Sequence, residues 1–250
     1  MHKFLLLPCV ILFPSVAIAQ TAEGLYVGGA TGVNFLETLQ SSEATTKIGT
    51  EAGPMGWGAV GWSFGNGLRA EVEGSYRSSD LDGISTRRVN GALLPLSETN
   101  GSAGIPAFTV NAKYDLPVPP FAIPVQPYIG GGVGYGWLNF DKAAGHGFGR
   151  FHLPGNNTFS APDIVSFGND GAFAYQAIVG ASVPLGAVPN LDMTFEYRFF
   201  GMARADIPVT RVGTTGLRVN GTLLANVTRN GFEVHDHAIA IGLRYTFGAL

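Results

Sequence analysis

Three stretches of the chain alternate strictly between apolar and polar residues. Leu68 to Arg77 places Leu68, Ala70, Val72, Gly74 and Tyr76 on one side, with Arg69, Glu71, Glu73, Ser75 and Arg77 on the other. Phe108 to Leu116 and Leu191 to Phe199 repeat the pattern. A period of two over about nine or ten residues marks a strand with two unlike faces. On a helix the same residues would mix around every side. The length also suits a tilted strand crossing a bilayer. Five further segments carry the pattern with less contrast: Leu25 to Phe35, Gly56 to Phe64, Tyr128 to Phe140, Ala172 to Val183 and His237 to Phe247. The pattern thus predicts eight strands.

The connections between these segments alternate in length. Gly65-Asn66-Gly67, Pro117 to Gln126 and Pro184 to Asn190 are short. The links over roughly 36–55, 78–106, 141–171 and 200–236 are long. A membrane meander with short periplasmic turns and long external loops has this rhythm. The expected fold is all-β: an eight-stranded antiparallel up-and-down transmembrane β-barrel, closed because an open sheet edge in lipid leaves backbone groups unpaired. Tyr26, Trp57, Trp62, Tyr76, Tyr114, Tyr128, Tyr135, Trp137, Tyr175, Tyr197 and Tyr245 fall mostly within strands and suit interfacial girdles, although strand propensity alone also favours aromatics.

Composition agrees with a lipid solvent. Only 13% of the 250 residues are charged, against 36 glycines and 17 phenylalanines, where about 25% charge is usual in soluble domains. Met1-His2-Lys3 followed by the apolar Phe4 to Ala19 reads as a signal peptide, residues 1–19. Ala17-Ile18-Ala19 supplies the small residues before cleavage, leaving 20–250 as the barrel. Cys9, the single cysteine, lies inside that segment, so the mature chain has no disulfide or thiolate site. Loss of Lys3 takes the formal charge from −3 to −4, with no basic stripe for nucleic acid.

Three motifs carry a family resemblance. They are Gly24-Leu25-Tyr26-Val27-Gly28-Gly29, the run Asn66 to Arg77, and Pro127-Tyr128-Ile129-Gly130-Gly131-Gly132-Val133-Gly134-Tyr135-Gly136. In this order and spacing they resemble the small OmpA-like and opacity-type outer-membrane barrels, the porin-like surface antigens of Gram-negative bacteria. The resemblance spans essentially the whole mature chain. Gly242, Tyr245 and Phe247 resemble the C-terminal assembly signal of such proteins, here followed by Gly248-Ala249-Leu250. The resemblance implies an outer-membrane location among lipid and lipopolysaccharide, with periplasmic chaperones and the barrel assembly machinery as partners. No peptidoglycan-binding segment follows, so no direct cell-wall tether is expected.

If the apolar faces meet lipid, the charged faces turn inward. That places Arg69, Glu71, Glu73, Arg77, Lys113, Asp115, Asp192, Glu196, Arg198 and Arg244 inside. Glu71 and Lys113 fall at similar heights, and Glu196 and Arg244 near a diagonal. Buried charges must pair, and eight strands leave room for side chains and little else. Two readings follow: a packed polar plug, or a narrow solute path. A selective pore more often carries an excess of one sign, and these ten residues balance.

The loops offer an echo rather than a site. Arg88 to Leu94 and Arg218 to Leu224 share the pattern Arg-Val-Asn-Gly-x-Leu-Leu. Asn-Gly between β-formers predicts hairpins standing above the membrane with apolar tips. His235-Asp236-His237 has no evident third metal ligand, and His146 and His152 lie apart in sequence. No nucleophile, Walker or metalloprotease motif is present. The glycine run from Gly130 has no following helix to make a phosphate loop. Neither cofactor nor metal is expected, and the chain is not read as an enzyme. The expected role is structural and surface-interacting, with any external ligand met by the loops. A small-solute porin is the alternative, and a lipid-modifying enzyme a more distant one.

Overall fold

The computed structural model describes residues 23–41, 46–87, 93–95, 98–117, 125–152, 158–213 and 225–248. The expected signal segment, residues 1–19 with Ala17 and Ala19, lies outside them. The elements in chain order are β1 (Gly24–Leu36), β2 (Leu39–Gln40), β3 (Thr46–Thr50), β4 (Gly53–Ser63), β5 (Leu68–Arg87), β6 (Leu93–Pro95), β7 (Glu98–Asp115), β8 (Gln126–His152), β9 (Thr158–Phe167), β10 (Asp170–Pro184), β11 (Leu191–Gly213) and β12 (Ala225–Thr246).

Eight of these strands form an antiparallel ring, β1-β4-β5-β7-β8-β10-β11-β12. The pairing of β12 with β1, from Tyr26↔Thr246 to Leu36↔Asp236, closes it. All eight predicted segments fall on this ring. The turn after β4 is tight because Gly65 and Gly67 take φ of 75° and 87°, a conformation that favours glycine. There Phe64 N donates to Leu68 O at 2.9 Å, and Leu68 N to Asn66 Oδ1 at 3.0 Å.

The long connections differ from their description as loops: much of each is strand. β5, β7, β8, β11 and β12 continue well beyond the predicted ends. Where β1 and β4 stop, β2 and β3 take their place beside β5, and a bridge from Ser41 to Phe232 joins this sheet to β12. Where β10 stops, β9 fills the gap between β8 and β11. The wall therefore carries a second storey. The arms of the two echoed hairpins are paired at Ser85↔Pro95 and Val212↔Ala225. Residues 88–92 and 214–224, which hold most of the echo, lie outside the described residues.

The two storeys each alternate between faces, with opposite chemistry. In the lower storey Val72, Tyr76, Phe195 and Tyr197 face out, while Glu73, Arg77, Glu196 and Arg198 are buried. Higher on the same strands Leu81, Ile84, Phe200, Met202, Ile207 and Val209 are buried, and Asp80, Asp82 and Arg204 are exposed. Phe232, Val234, Leu36, Leu39, Ile48 and Leu138 complete one apolar core inside the upper barrel. Strands keep one face inward throughout, so only the residue type changes as the outside passes from lipid to water. Register shifts at Gly49/Thr50, Asn100/Ser102 and Met202/Ala205 interrupt the simple count.

Phe232→Ala should lower stability by about 3–5 kcal/mol through loss of a filled core position. Ile239→Ala, on the outer face of the same strand, leaves no internal cavity and should cost clearly less. Urea unfolding of the refolded barrel measures both, and equal losses would contradict a core above the membrane.

Candidate functional site in the barrel interior

The sequence-predicted inward residues are brought together in the lower storey. The layers run upward from the turn end of the barrel. At the bottom, Arg69 pairs with Asp115, and Arg244 with Asp192. Asp192 stands directly across from Arg244 in the β11–β12 register, whereas Glu196 faces Ala240. The expected diagonal between Glu196 and Arg244 is thus replaced by the directly opposed pair.

In the next layer Lys113 bridges two carboxylates. Its Nζ lies 2.8 Å from Glu71 Oε1 on β5 and 3.1 Å from Glu196 Oε1 on β11. Each glutamate also accepts from a buried tyrosine: Tyr26 Oη donates to Glu71 at 2.7 Å, and Tyr128 Oη to Glu196 at 2.7 Å. The rings need glycine beneath them. A Cβ on Gly61 would stand 2.5 Å from Tyr26 Cζ, and one on Gly180 2.5 Å from Tyr128 Cζ. The Arg69 guanidinium lies over the Tyr128 ring, 4.7 Å from its centroid.

Above them Arg198 grips Glu73 across the lumen with two hydrogen bonds of 2.6 and 2.9 Å, while its Nε donates to Glu196 at 2.6 Å. Asn111 and Gln176 donate to Glu73 at 3.1 and 3.3 Å. Gln176 also donates to Asn111 Oδ1 at 2.7 Å. Trp57 packs under Arg198, 4.3 Å from guanidinium to ring centroid.

The top layer contains an acid outside the expected set. Asp236 accepts from Arg77 Nε at 3.1 Å and from Asn34 Nδ2 at 2.9 Å. Arg77 also donates to Ser75 Oγ at 3.0 Å, and its guanidinium lies 4.0 Å from the Phe200 centroid. Phe200 belongs to the apolar core, so the charged network ends against hydrocarbon. Asp236 was legible as the next inward position before Ala238, Ala240, Gly242 and Arg244, had the last strand been started one residue earlier. Tyr26, Trp57 and Tyr128 depart from the expected girdle for the same reason: their parity opposes that of Leu25, Val60 and Ile129, so they point inward.

Other sequence candidates lie elsewhere. Tyr245 and Phe247 face outward near the turn end, edge to face with centroids 5.0 Å apart. A Cβ on Gly242 would come within 3.0 Å of Ala30 Cα, so the strand junction favours glycine there. His235 and His237 lie on the outer wall, away from Asp236. His237 Nδ1 is 2.7 Å from Tyr197 Oη, and its Nε2 is 3.2 Å from Glu37 Oε1.

The interior groups face one another rather than an open cleft, and such an arrangement can hold a wall together and exclude ions. Arg198→Met should cost about 3–5 kcal/mol, because it leaves Glu73 and Glu196 short of a buried partner. Adding Glu73→Gln to that variant should restore part of the loss. Denaturant midpoints of the two variants test this, and a double variant less stable than Arg198→Met would contradict the pairing.

Residues 5–247 match the family model described as the outer membrane protein beta-barrel domain. An outer membrane protein of Gluconacetobacter diazotrophicus is 30% identical over 249 residues, which cover 94% of this chain. This chain spans 60% of that relative's length. A major outer membrane protein from Thermus thermophilus superposes with a TM-score of 0.51 at 12% identity, covering 89% of this chain and 99% of that one. Neisserial surface protein A gives a TM-score of 0.48 at 17% identity, covering 91% of this chain and all of that one, at 100%.

Proposed function

The chain belongs to the outer membrane protein beta-barrel family and resides in the cell outer membrane, and we propose that within it the barrel acts as a structural, surface-displaying wall element rather than a solute channel. The observation that carries this reading is the way the lumen is filled. Lys113 and Arg198 tie β5 and β7 to β11 across it, and the apolar core caps the charged layers from above. A solute would have to break several buried ion pairs and then pass through packed hydrocarbon. Each buried charge left without its partner costs several kcal/mol, and an apolar core excludes water and ions.

The second storey supports the display role. It carries the strands beyond the expected span on paired backbone, a base from which the connections can be displayed. An external ligand would be met there. The role is non-catalytic on this reading, because the charged groups spend their hydrogen bonds on each other. Outer-membrane lipid and lipopolysaccharide surround such a barrel, and chaperones with the assembly machinery deliver it.

Planar-bilayer recording of the refolded chain tests the proposal. No stable openings are expected at neutral pH. Stable openings whose conductance rises with salt concentration would overturn it in favour of a small-solute porin.

A further inference from the structure

The outer wall has a hollow above a row of exposed valines. Val27, Val60, Val72 and Val110 stand side by side on β1, β4, β5 and β7, and all four are exposed to lipid. Two residues farther from the turns, the next outward row reads Gly29, Gly58, Gly74 and Phe108. The wall steps inward there and leaves a groove of about 490 Å³ lined by Gly56, Gly58, Gly74, Tyr76, Pro106 and Phe108. Tyr76 and Phe108 form raised walls, 53% and 62% exposed.

The backbone does not demand glycine at positions 56 and 58. Neither Gly56 nor Gly58 has a positive φ. A Cβ on Gly58 would meet nothing nearer than 4.0 Å, and one on Gly56 nothing nearer than 3.4 Å. A side chain would fit at these two positions, whereas a Cβ on Gly29 or Gly74 would stand 3.3 Å from Trp57 O or Phe108 Cε1.

What covers the groove follows from its place. It lies on the lipid-facing wall, six residues along β5 from the turn at Leu68 to Gly74. At about 3.4 Å per residue and a tilt of about 40°, that is roughly 16 Å up a belt about 25 Å tall. This is the outer-leaflet half. Farther up the same wall stand Glu51, Asp80 and Asp82, all exposed, with Glu51 N donating to Asp80 O at 2.8 Å. None of the three is in an ion pair with a described cation. Lys47 on neighbouring β3 is also exposed. Among the described side chains here, three carboxylates stand against one lysine, a balance that repels a phosphate and attracts an ammonium group.

We propose that this groove seats an acyl chain of an outer-leaflet lipid whose headgroup carries an amine, with the ammonium under Glu51, Asp80 and Asp82. Within a bilayer no hydrophobic gain drives the seating. Close packing against the bare backbone and the two rings does, by contacts that a bulkier wall would forfeit.

The test uses the full barrel, refolded with phosphatidylethanolamine, phosphatidylglycerol or lipopolysaccharide, exchanged into detergent and weighed intact. One phosphatidylethanolamine per barrel is expected on the wild type. Gly58→Leu fills the groove and should lose it, while Val60→Leu, on the same strand below the groove, should keep it. Gel mobility before and after heating establishes that each variant is folded, and Gly56→Val serves as a second groove-filling variant. Glu51→Gln with Asp80→Asn and Asp82→Asn should abolish a preference of roughly two- to fivefold for phosphatidylethanolamine over phosphatidylglycerol without emptying the groove. A wild type that carries no lipid, or a second copy of the chain in its place, overturns the proposal. So does retention unchanged by filling the groove, or wild-type retention that is equal for the two phospholipids or highest for lipopolysaccharide.

Discussion

The outside of this wall meets two solvents, and the rest of the structure follows from that. Each ring strand must satisfy its backbone through its neighbours, which fixes a closed cylinder and one inward face per strand. Where lipid lies outside, apolar side chains are set there, and polar residues fall to the inward face. Where water lies outside, the assignment reverses. β5 carries both regimes in one run, from Arg69, Glu71 and Glu73 inward to Leu81 and Ile84 inward. One strand, its parity reset by a bulge between Leu81 and Ile84, thereby builds a charged lower interior and an apolar upper one.

The charged interior is the costlier half. Desolvating ions is expensive, and well-packed apolar residues often do as well for stability. The lipid-facing requirement sets the outward face alone, so the ions need another account. Their geometry suggests one: the bonds are made to named partners at fixed heights. Lys113 sits between Glu71 and Glu196, and Arg198 between Glu73 and Glu196. A strand displaced by two residues would keep its faces but lose these contacts. The network thus discriminates against registers that the hydrophobic pattern alone tolerates.

The legibility of the sequence tracked the contrast between faces. The lower storey was readable because Leu68 to Arg77 and Leu191 to Phe199 pit charge against hydrocarbon at every step. Pairing was less readable, since it depends on register: Arg244 joins Asp192, and no single-strand pattern says so. Asp236 was missed because it lies one residue before the predicted start of the last strand at His237, although its parity is that of Arg244. The upper storey was missed for two physical reasons. Its apolar residues lie on the face that carries charge below, which dissolves the pattern being followed, and its bulges shift the count. Tyr26 and Tyr128 show the same lesson at one residue: their chemistry suited an interface, and only their parity placed them beside Glu71 and Glu196.

Asp236 also bears on how the barrel comes into being. Its partner Arg77 is 159 residues away and Asn34 is 202 away. Both wait for the last strand. Such distant contacts are slow to form because the loop must be closed before the contact rewards it. Until β12 arrives, an unfinished sheet holds Arg77 without its carboxylate and β1 without its neighbour. That state is tolerable in water and costly in hydrocarbon. Joining the two ends therefore removes both the unpaired charge and the open edge that hydrocarbon penalises.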